Sequence, residues 1–362
     1  MDRRDFLKKT LQAGTIGCGV IPIKQNTYAN SIVPYNFSMD YPSKAAPIES
    51  LYDTPITSIA FGSCNKQYAF QDHWQVIARQ NPDIWLWLGD NIYADYTSYE
   101  ERQAAYLQLL NDPNYANFMQ TIPIMGIWDD HDFAHNNAGA EYEQKDLSKE
   151  LFCNFLGLSA DHPIRQRLGI YHSEILGPIG KQVQIFMLDM RYFMNTGDRH
   201  FGALGELQWQ WLEAELQASQ ADVIIVATSI HLLSNLTGYG LEGWNDFPIE
   251  RQRLYQIFES LSAPVIVLSG DRHMADFSGI SLSGGKPIYE VMSSGLTHHL
   301  AAPIPNNRRL GRIIDTKNFG VISIDWSRLR PNIAFEIKST LTGETLHWFR
   351  PDFQNLDNAV WA

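Results

Sequence analysis

Six short apolar runs in this sequence each end in a polar turn of the same chemical kind, and no other feature limits its fold as tightly. Ile59-Ala60-Phe61 leads into Gly62-Ser63-Cys64-Asn65, and Trp85-Leu86-Trp87-Leu88 into Gly89-Asp90-Asn91-Ile92-Tyr93. Gly126-Ile127-Trp128 leads into Asp129-Asp130-His131-Asp132, and Phe186-Met187-Leu188 into Asp189-Met190-Arg191. Ala227 to Ile230 leads into His231, and Val267-Leu268-Ser269 into Gly270-Asp271-Arg272-His273. Amphipathic helix candidates separate the runs at His73–Gln80, Tyr99–Leu110, Lys145–Phe155, Gly205–Ser219 and Ile249–Leu261. Continuous Val/Ile/Leu strands alternating with helices predict an α/β fold whose sheet is buried on both faces.

The strands are expected at Ile56–Phe61, Asp83–Leu88, Ile122–Trp128, Val183–Leu188, Val223–Ala227 and Val265–Ser269. Pro287–Met292, Gly320–Ile324, Asn332–Ile337 and Thr345–Phe349 read as strands without intervening helices, which predicts a second, more antiparallel sheet. In open α/β sheets a ligand site lies at the carboxyl ends of the strands, where the six polar turns converge. One Asp after a strand is ordinarily a helix cap or turn residue. Six turns of like chemistry at one end point instead to a metal centre. It would combine hard carboxylate oxygens, imidazole nitrogen, and thiolate or phenolate donors. Without cations, gathering Asp90, Asp129, Asp130, Asp132 and Asp271 would cost roughly several kcal/mol in repulsion.

The N-terminus reads differently. Arg3-Arg4-Asp5-Phe6-Leu7-Lys8 followed by a weakly apolar stretch resembles a twin-arginine (Tat) export signal over residues 1–30, with cleavage after Ala29. The stretch from Leu11 to Ile23 falls well short of the roughly 20 residues that span a bilayer. The mature chain is thus expected in the periplasm or secreted, without a membrane span and without lipid anchoring at Cys18. Residues 31–55 read as an extended lead-in, and 56–362 as a single catalytic domain. Cys64 and Cys153 could pair after export, unless Cys64 serves a metal. With 28 Lys and Arg against 40 Asp and Glu, the formal charge is −12. No nucleic-acid footprint is therefore expected. A serine nucleophile elbow, Gly-x-Ser-x-Gly, is absent, and Gly279–Lys286 has the wrong spacing for a P-loop.

Several motifs run in order from about residue 56 to residue 300. They are Ser63-Cys64, Gly89 to Asp95, Trp128 to Phe133, Leu188 to Arg191, Ser269 to His273 and Ser293 to His298. In these the chain resembles the PhoD-like (alkaline phosphatase D) family of metallophosphoesterases. The resemblance implies a four-layer αββα sandwich with two mixed β-sheets. It also implies a ferric ion on Cys64, Asp90, Tyr93 and His273. Asp90 would bridge to a second cation, calcium with zinc or manganese as alternatives, also held by Asp130 and Asp271. Asn136 is a further ligand or phosphate contact. His231 is either a ligand or a pocket residue, because many relatives carry Gln there.

The expected reaction is in-line attack of a metal-activated hydroxide on a small phosphoester. His131 would protonate the leaving group, with Asp132 orienting its ring. Arg191 would either clamp a phosphate oxygen or support Asp189 through a salt bridge. Leu232–Pro248, with Tyr239, Trp244 and Phe247, is a candidate pocket wall. The rival readings are a phospholipase D-like diesterase and a non-catalytic secreted metal- or phosphate-binding protein.

Overall fold

Strand-forming residues of this chain alternate between two apolar environments, and that alternation sets the layering. The computed structural model describes residues 45–197, 202–235, 242–301 and 304–362. The export signal of residues 1–30 with Cys18, and Tyr239, lie outside them.

The strands, in chain order, begin with β1 (Ser58–Gly62), β2 (Ile84–Leu88), β3 (Ile124–Ile127), β4 (His172–Leu176), β5 (Val183–Met187), β6 (Val223–Ala227) and β7 (Val265–Ser269). They continue with β8 (Ala275–Ser281), β9 (Pro287–Ser293), β10 (Arg309–Ile314), β11 (Asn318–Asp325), β12 (Asn332–Ser339), β13 (Thr345–Arg350) and β14 (Val360–Trp361). One sheet runs β14-β13-β12-β11-β1-β2-β3 and the other β10-β8-β9-β7-β6-β5-β4. Both are mixed. β1 to β3 are parallel, as are β5, β6, β7 and β9, and antiparallel strands flank each parallel block.

This departs from the expected division. The tail strands do not form a sheet of their own: β11 to β14 extend the β1–β3 block, whereas β9 joins β5 to β7. A three-strand parallel block leaves unpaired backbone groups at its edges, and β11 pairs with the edge on β1.

Val183, Ile185 and Met187 of β5 share an apolar cluster with Val223, Ile225, Ile266 and Leu268, and with Ile59, Phe61, Val321 and Ile337 of the other sheet. The intervening Phe186, Ile224, Val226, Val265 and Val267 pack against Trp209, Leu212, Leu216, Leu254 and Phe258. Those five lie on the helices Gly205–Ala218 and Pro248–Ser260. Trp85 and Trp87 share the opposite outer face, with Trp74 5.1 Å from each ring and Phe118 and Phe155 beside them. The order is helix, sheet, sheet, helix, the αββα sandwich.

The lead-in is not wholly extended. Ile48–Leu51 forms a 3-10 turn, the Ala46 N–H donates to Met119 O at 2.7 Å, and Leu51 is buried. Trp244 and Phe247 are buried in the outer cluster, so they are core residues rather than a pocket wall.

Phe61 lies opposite Gly320 across the β1–β11 ladder, and a Cβ on Gly320 would sit 2.2 Å from its ring. Gly320→Ala is therefore expected to destabilise the protein by about 1–3 kcal/mol through overpacking, read as a lowered urea midpoint at unchanged slope.

Candidate metal centre

The carboxyl ends of β1, β2 and β3 in one sheet and of β5, β6 and β7 in the other meet along a single edge. Hydrogen bonds between turns hold them there. The Asn65 N–H donates to Asp90 O (2.8 Å), the Leu296 N–H to Ser63 O (3.2 Å), and the Leu300 N–H to His273 O (2.8 Å). The Lys66 N–H donates to the Thr297 hydroxyl (2.8 Å). Gly89, with φ +99°, admits the neighbouring turn so closely that a Cβ would lie 2.5 Å from that of Asp129. Cys64, Asp90, Asn137, Asp271 and His273 all adopt positive φ, between 50° and 72°. Each costs backbone energy that a turn free of other demands would avoid.

Two donor clusters share one carboxylate. Ligand atoms of Cys64, Asp90 and His273 lie within 4.8 Å of one another, and so do those of Asp90, Asp130 and His131. The Ser-Cys turn and the Gly-Asp-Arg-His turn thus meet in one pocket. The Tyr93 hydroxyl joins the first cluster, 3.0 Å from Asp90 Oδ2 and 3.1 Å from His273 Nε2. His298 Nε2 stands 3.3 Å from the Tyr93 oxygen and 3.1 Å from His273 Nε2. Cys64 and Cys153 are both free and buried, so the two do not pair with each other.

The electrostatics favour cations. Burial and then Asp130 push the Asp90 carboxyl well above its usual range. Burial and Asp90 likewise raise the Cys64 thiol, and burial, Asp90 and Cys64 raise the Tyr93 phenol. Burial lifts Asp271 to about 7, with Arg272 opposing and Asp129 and Asp130 assisting. Burial depresses the imidazoles of His273 to about 4 and of His298 to about 3, leaving both as neutral nitrogen donors. Acids that resist ionisation beside neutral imidazoles release their protons when a cation enters. Thiolate, phenolate and imidazole suit a softer or ferric ion, and the Asp90–Asp130 side a harder one. The residues present fit a two-metal centre.

The other expected site residues are placed as follows. Asp271 belongs to neither triad, and its carboxylate is 3.2 Å from Arg272 Nε. His231 is buried, 3.9 Å from Glu290, and neither ring nitrogen has a hydrogen-bond partner among the described residues. Glu290 accepts the N–H groups of Leu232 (2.9 Å) and Leu233 (2.7 Å), which fixes the turn carrying that ring.

Three expectations need correction. Asp132 does not orient His131. Its carboxylate faces inward and accepts from the Asp129 N–H (2.7 Å) and the Asn91 amide (2.6 Å). Asp95 takes that place, 2.7 and 2.8 Å from His131 Nδ1. Burial opposes charge on this ring, but Asp95, Asp90 and Asp130 together raise it to about 10. Asn136 has an exposed side chain. Its loop contributes through the backbone instead, with the Asn136 N–H on Asp95 Oδ1 (3.0 Å) and the Asn137 N–H on Asp130 Oδ2 (2.5 Å).

Arg191, finally, is fully buried, with Nε on Asp129 (2.6 Å) and Nη1 on Glu242 (2.6 Å). Its guanidinium neither reaches out for phosphate nor pairs with Asp189, which accepts only its backbone N–H (2.9 Å). Arg191→Leu would remove the buried cation that pairs with Asp129 and Glu242, so a loss of about 3–5 kcal/mol is expected in chemical unfolding.

Sequence reasoning assigned no role to Asp95 or His298, although both stand in the quoted motifs. Asp95 lies two residues past Tyr93 in one turn, and that spacing was the available signal.

The sequence model of the PhoD-like phosphatase family matches residues 59–309. Alkaline phosphatase D of Bacillus subtilis (strain 168) is 22% identical over 295 residues, covering 67% of this chain and 50% of that protein. The chain thus spans half the length of this curated relative. The solved structure of PhoD superposes with a TM-score of 0.70 at 17% identity, over 89% of this chain and 73% of that one. Purple acid phosphatase PPD1 from yellow lupin (Lupinus luteus) seeds gives 0.59 at 14% identity, over 81% and 53%. GAP50, the anchor in the inner membrane complex of Plasmodium, gives 0.55 at 13%, over 84% and 90%. These likenesses establish the fold; the side chains at the strand ends carry the chemistry.

Proposed function

The chain belongs to the PhoD-like phosphatase family, and from this premise we propose that it is an exported, metal-dependent phosphoric ester hydrolase. The observation that carries the reading is the position of Asp90 in both donor clusters. Cys64, Asp90, Tyr93 and His273 would hold a ferric ion, with His298 beside them. Asp90 and Asp130 would hold a calcium ion, with Asp271 and His231 as further candidate ligands. When bound, the cations would supply Lewis acidity, neutralising phosphoryl oxygens and making a water nucleophilic near neutral pH.

The chain's own residues do the rest. Asp95 holds the Nδ1–H of His131, so Nε2 faces the reaction centre and donates a proton to the leaving oxygen. The Tyr93 ring packs 4.4 Å from the His131 ring and limits its tilt. Buried Arg191 offsets Asp129 and Asp130 from behind, so the acidic cluster is held without closing the pocket. The Arg3-Arg4 motif supports export in the folded, metal-loaded state, to the periplasm or beyond.

The test is turnover of mono- and bis-(p-nitrophenyl) phosphates by protein loaded with Fe³⁺ and Ca²⁺. Hydrolysis that a chelator abolishes and the two ions restore is expected. No hydrolysis of either ester by fully loaded protein would leave a binding protein. A visible charge-transfer band from the Tyr93 phenolate is also expected, and colourless, active protein containing only zinc would contradict the iron assignment.

A further inference from the structure

Tyr96 follows the acid-holding Asp95 directly and is out of place by ordinary folding rules. Its φ is +55°, a conformation that aromatic residues rarely adopt, yet its side chain is 82% exposed. No core packing accounts for an aromatic ring there. The ring lies flat on His135, with centroids 4.7 Å apart and planes 7° from parallel. His135 comes four residues after His131, and Asp95 ties the two turns together through His131 Nδ1 and the Asn136 N–H. The stacked pair therefore stands on the same two turns that hold the leaving-group acid. It forms one wall of a cleft of about 430 Å³, whose lining includes Arg102, Tyr142, the carboxylates Glu141 and Glu143, and Gln144.

Resting on the hydrolase reading above, we propose that this cleft is a leaving-group subsite for a planar heteroaromatic ring, so that the preferred substrates are nucleotide-like phosphoesters. A flat wall with one open aromatic face takes a third ring by stacking. The polar rim can meet the edge atoms of a base, which an acyl chain does not possess. The Arg102 guanidinium, which also lines the cleft, lies 5.5 Å from the Tyr142 ring centroid and already supplies that ring with a cation.

The experiment has two arms on metal-loaded protein. In the first, kcat/KM is measured for adenosine 5′-monophosphate and for ribose 5-phosphate, which differ only by the base. The wild type is expected to prefer the nucleotide by about tenfold or more. Tyr96→Ala should lower this ratio by about tenfold, and Tyr96→Phe, with the same backbone demand, should retain it. A ratio near one, or a ratio indifferent to Tyr96→Ala, overturns the subsite.

In the second arm, adenosine and ribose are titrated at equilibrium by NMR, which requires no turnover. Binding of adenosine but not of ribose, lost in Tyr96→Ala, supports the subsite, and a lack of hydrolysis beside it would count only against the hydrolase reading. Binding of dihexanoyl phosphatidic acid without binding of adenosine would assign the cleft to an acyl chain and overturn the proposal.

Discussion

Replacing Asp90 with asparagine is expected to remove both cations together and to lower phosphoester turnover by roughly a thousandfold or more. The expectation follows from position. Asp90 Oδ2 lies 3.4 Å from Cys64 Sγ and 3.0 Å from the Tyr93 oxygen, while the His131 N–H points at Oδ1 from 3.4 Å. One carboxylate therefore faces both donor sets, and among the described residues no other carboxylate stands in both. An amide offers one neutral oxygen and one nitrogen, so it cannot serve two cations. Asparagine also suits positive φ, which keeps the fold intact at this strained position. Elemental analysis should find less than one metal per chain at unchanged thermal stability of the metal-free protein. Full turnover in Asp90→Asn would refute the shared-carboxylate arrangement.

Replacing His131 with alanine is expected to lower kcat by about 10²–10⁴-fold for alkyl phosphoesters and much less for nitrophenyl esters, whose leaving groups need little protonation. Asp95→Asn should show a milder form of the same leaving-group dependence. The sign of the pH effect follows from the ion pair. Burial opposes charge on the imidazole, but Asp95 at 2.7 Å favours its protonated form and remains beside it when cations occupy Asp90 and Asp130, so activity is expected to fall as pH rises far enough to deprotonate the ring. Removing the Asp95 charge lowers that pKa and moves the alkaline limb of kcat toward neutrality. Metal content tests the competing role, because the His131 ring also lies within reach of Asp90 and Asp130. An alanine variant that loses the second cation would make His131 a ligand rather than an acid.

Much of this site was legible along the chain because its chemistry is written at strand ends. Cys64, Asp90, Tyr93, Asp130 and His273 stand in the turns that follow apolar runs, the family resemblance singled them out as ligands, and the structure places them close together. What depended on side-chain direction was not legible. Asp132 is next to His131 in sequence, but on a tight turn the carboxylate points inward to the Asn91 amide, and Asp95 from another turn reaches the ring. Arg191 follows a strand as a phosphate clamp would, yet its buried guanidinium is taken up by Asp129 and Glu242.

The same holds for the fold. The parallel blocks showed as apolar runs. β8 did not, because Asp276, Ser278 and Gly279 interrupt its apolar residues. Asp276 is buried there by its pairing with Arg309 at 2.7 Å, and Asn306 donates to Ser278 at 2.8 Å. Which block each tail strand would join depended on edges that no local pattern describes.

Anomalous X-ray scattering from crystals of the metal-loaded protein tests the account most directly. Two peaks on opposite sides of the Asp90 carboxylate are expected, one contacting Cys64, Tyr93 and His273 and the other contacting Asp130. A single peak, or two peaks of which either leaves Asp90 untouched, would contradict it.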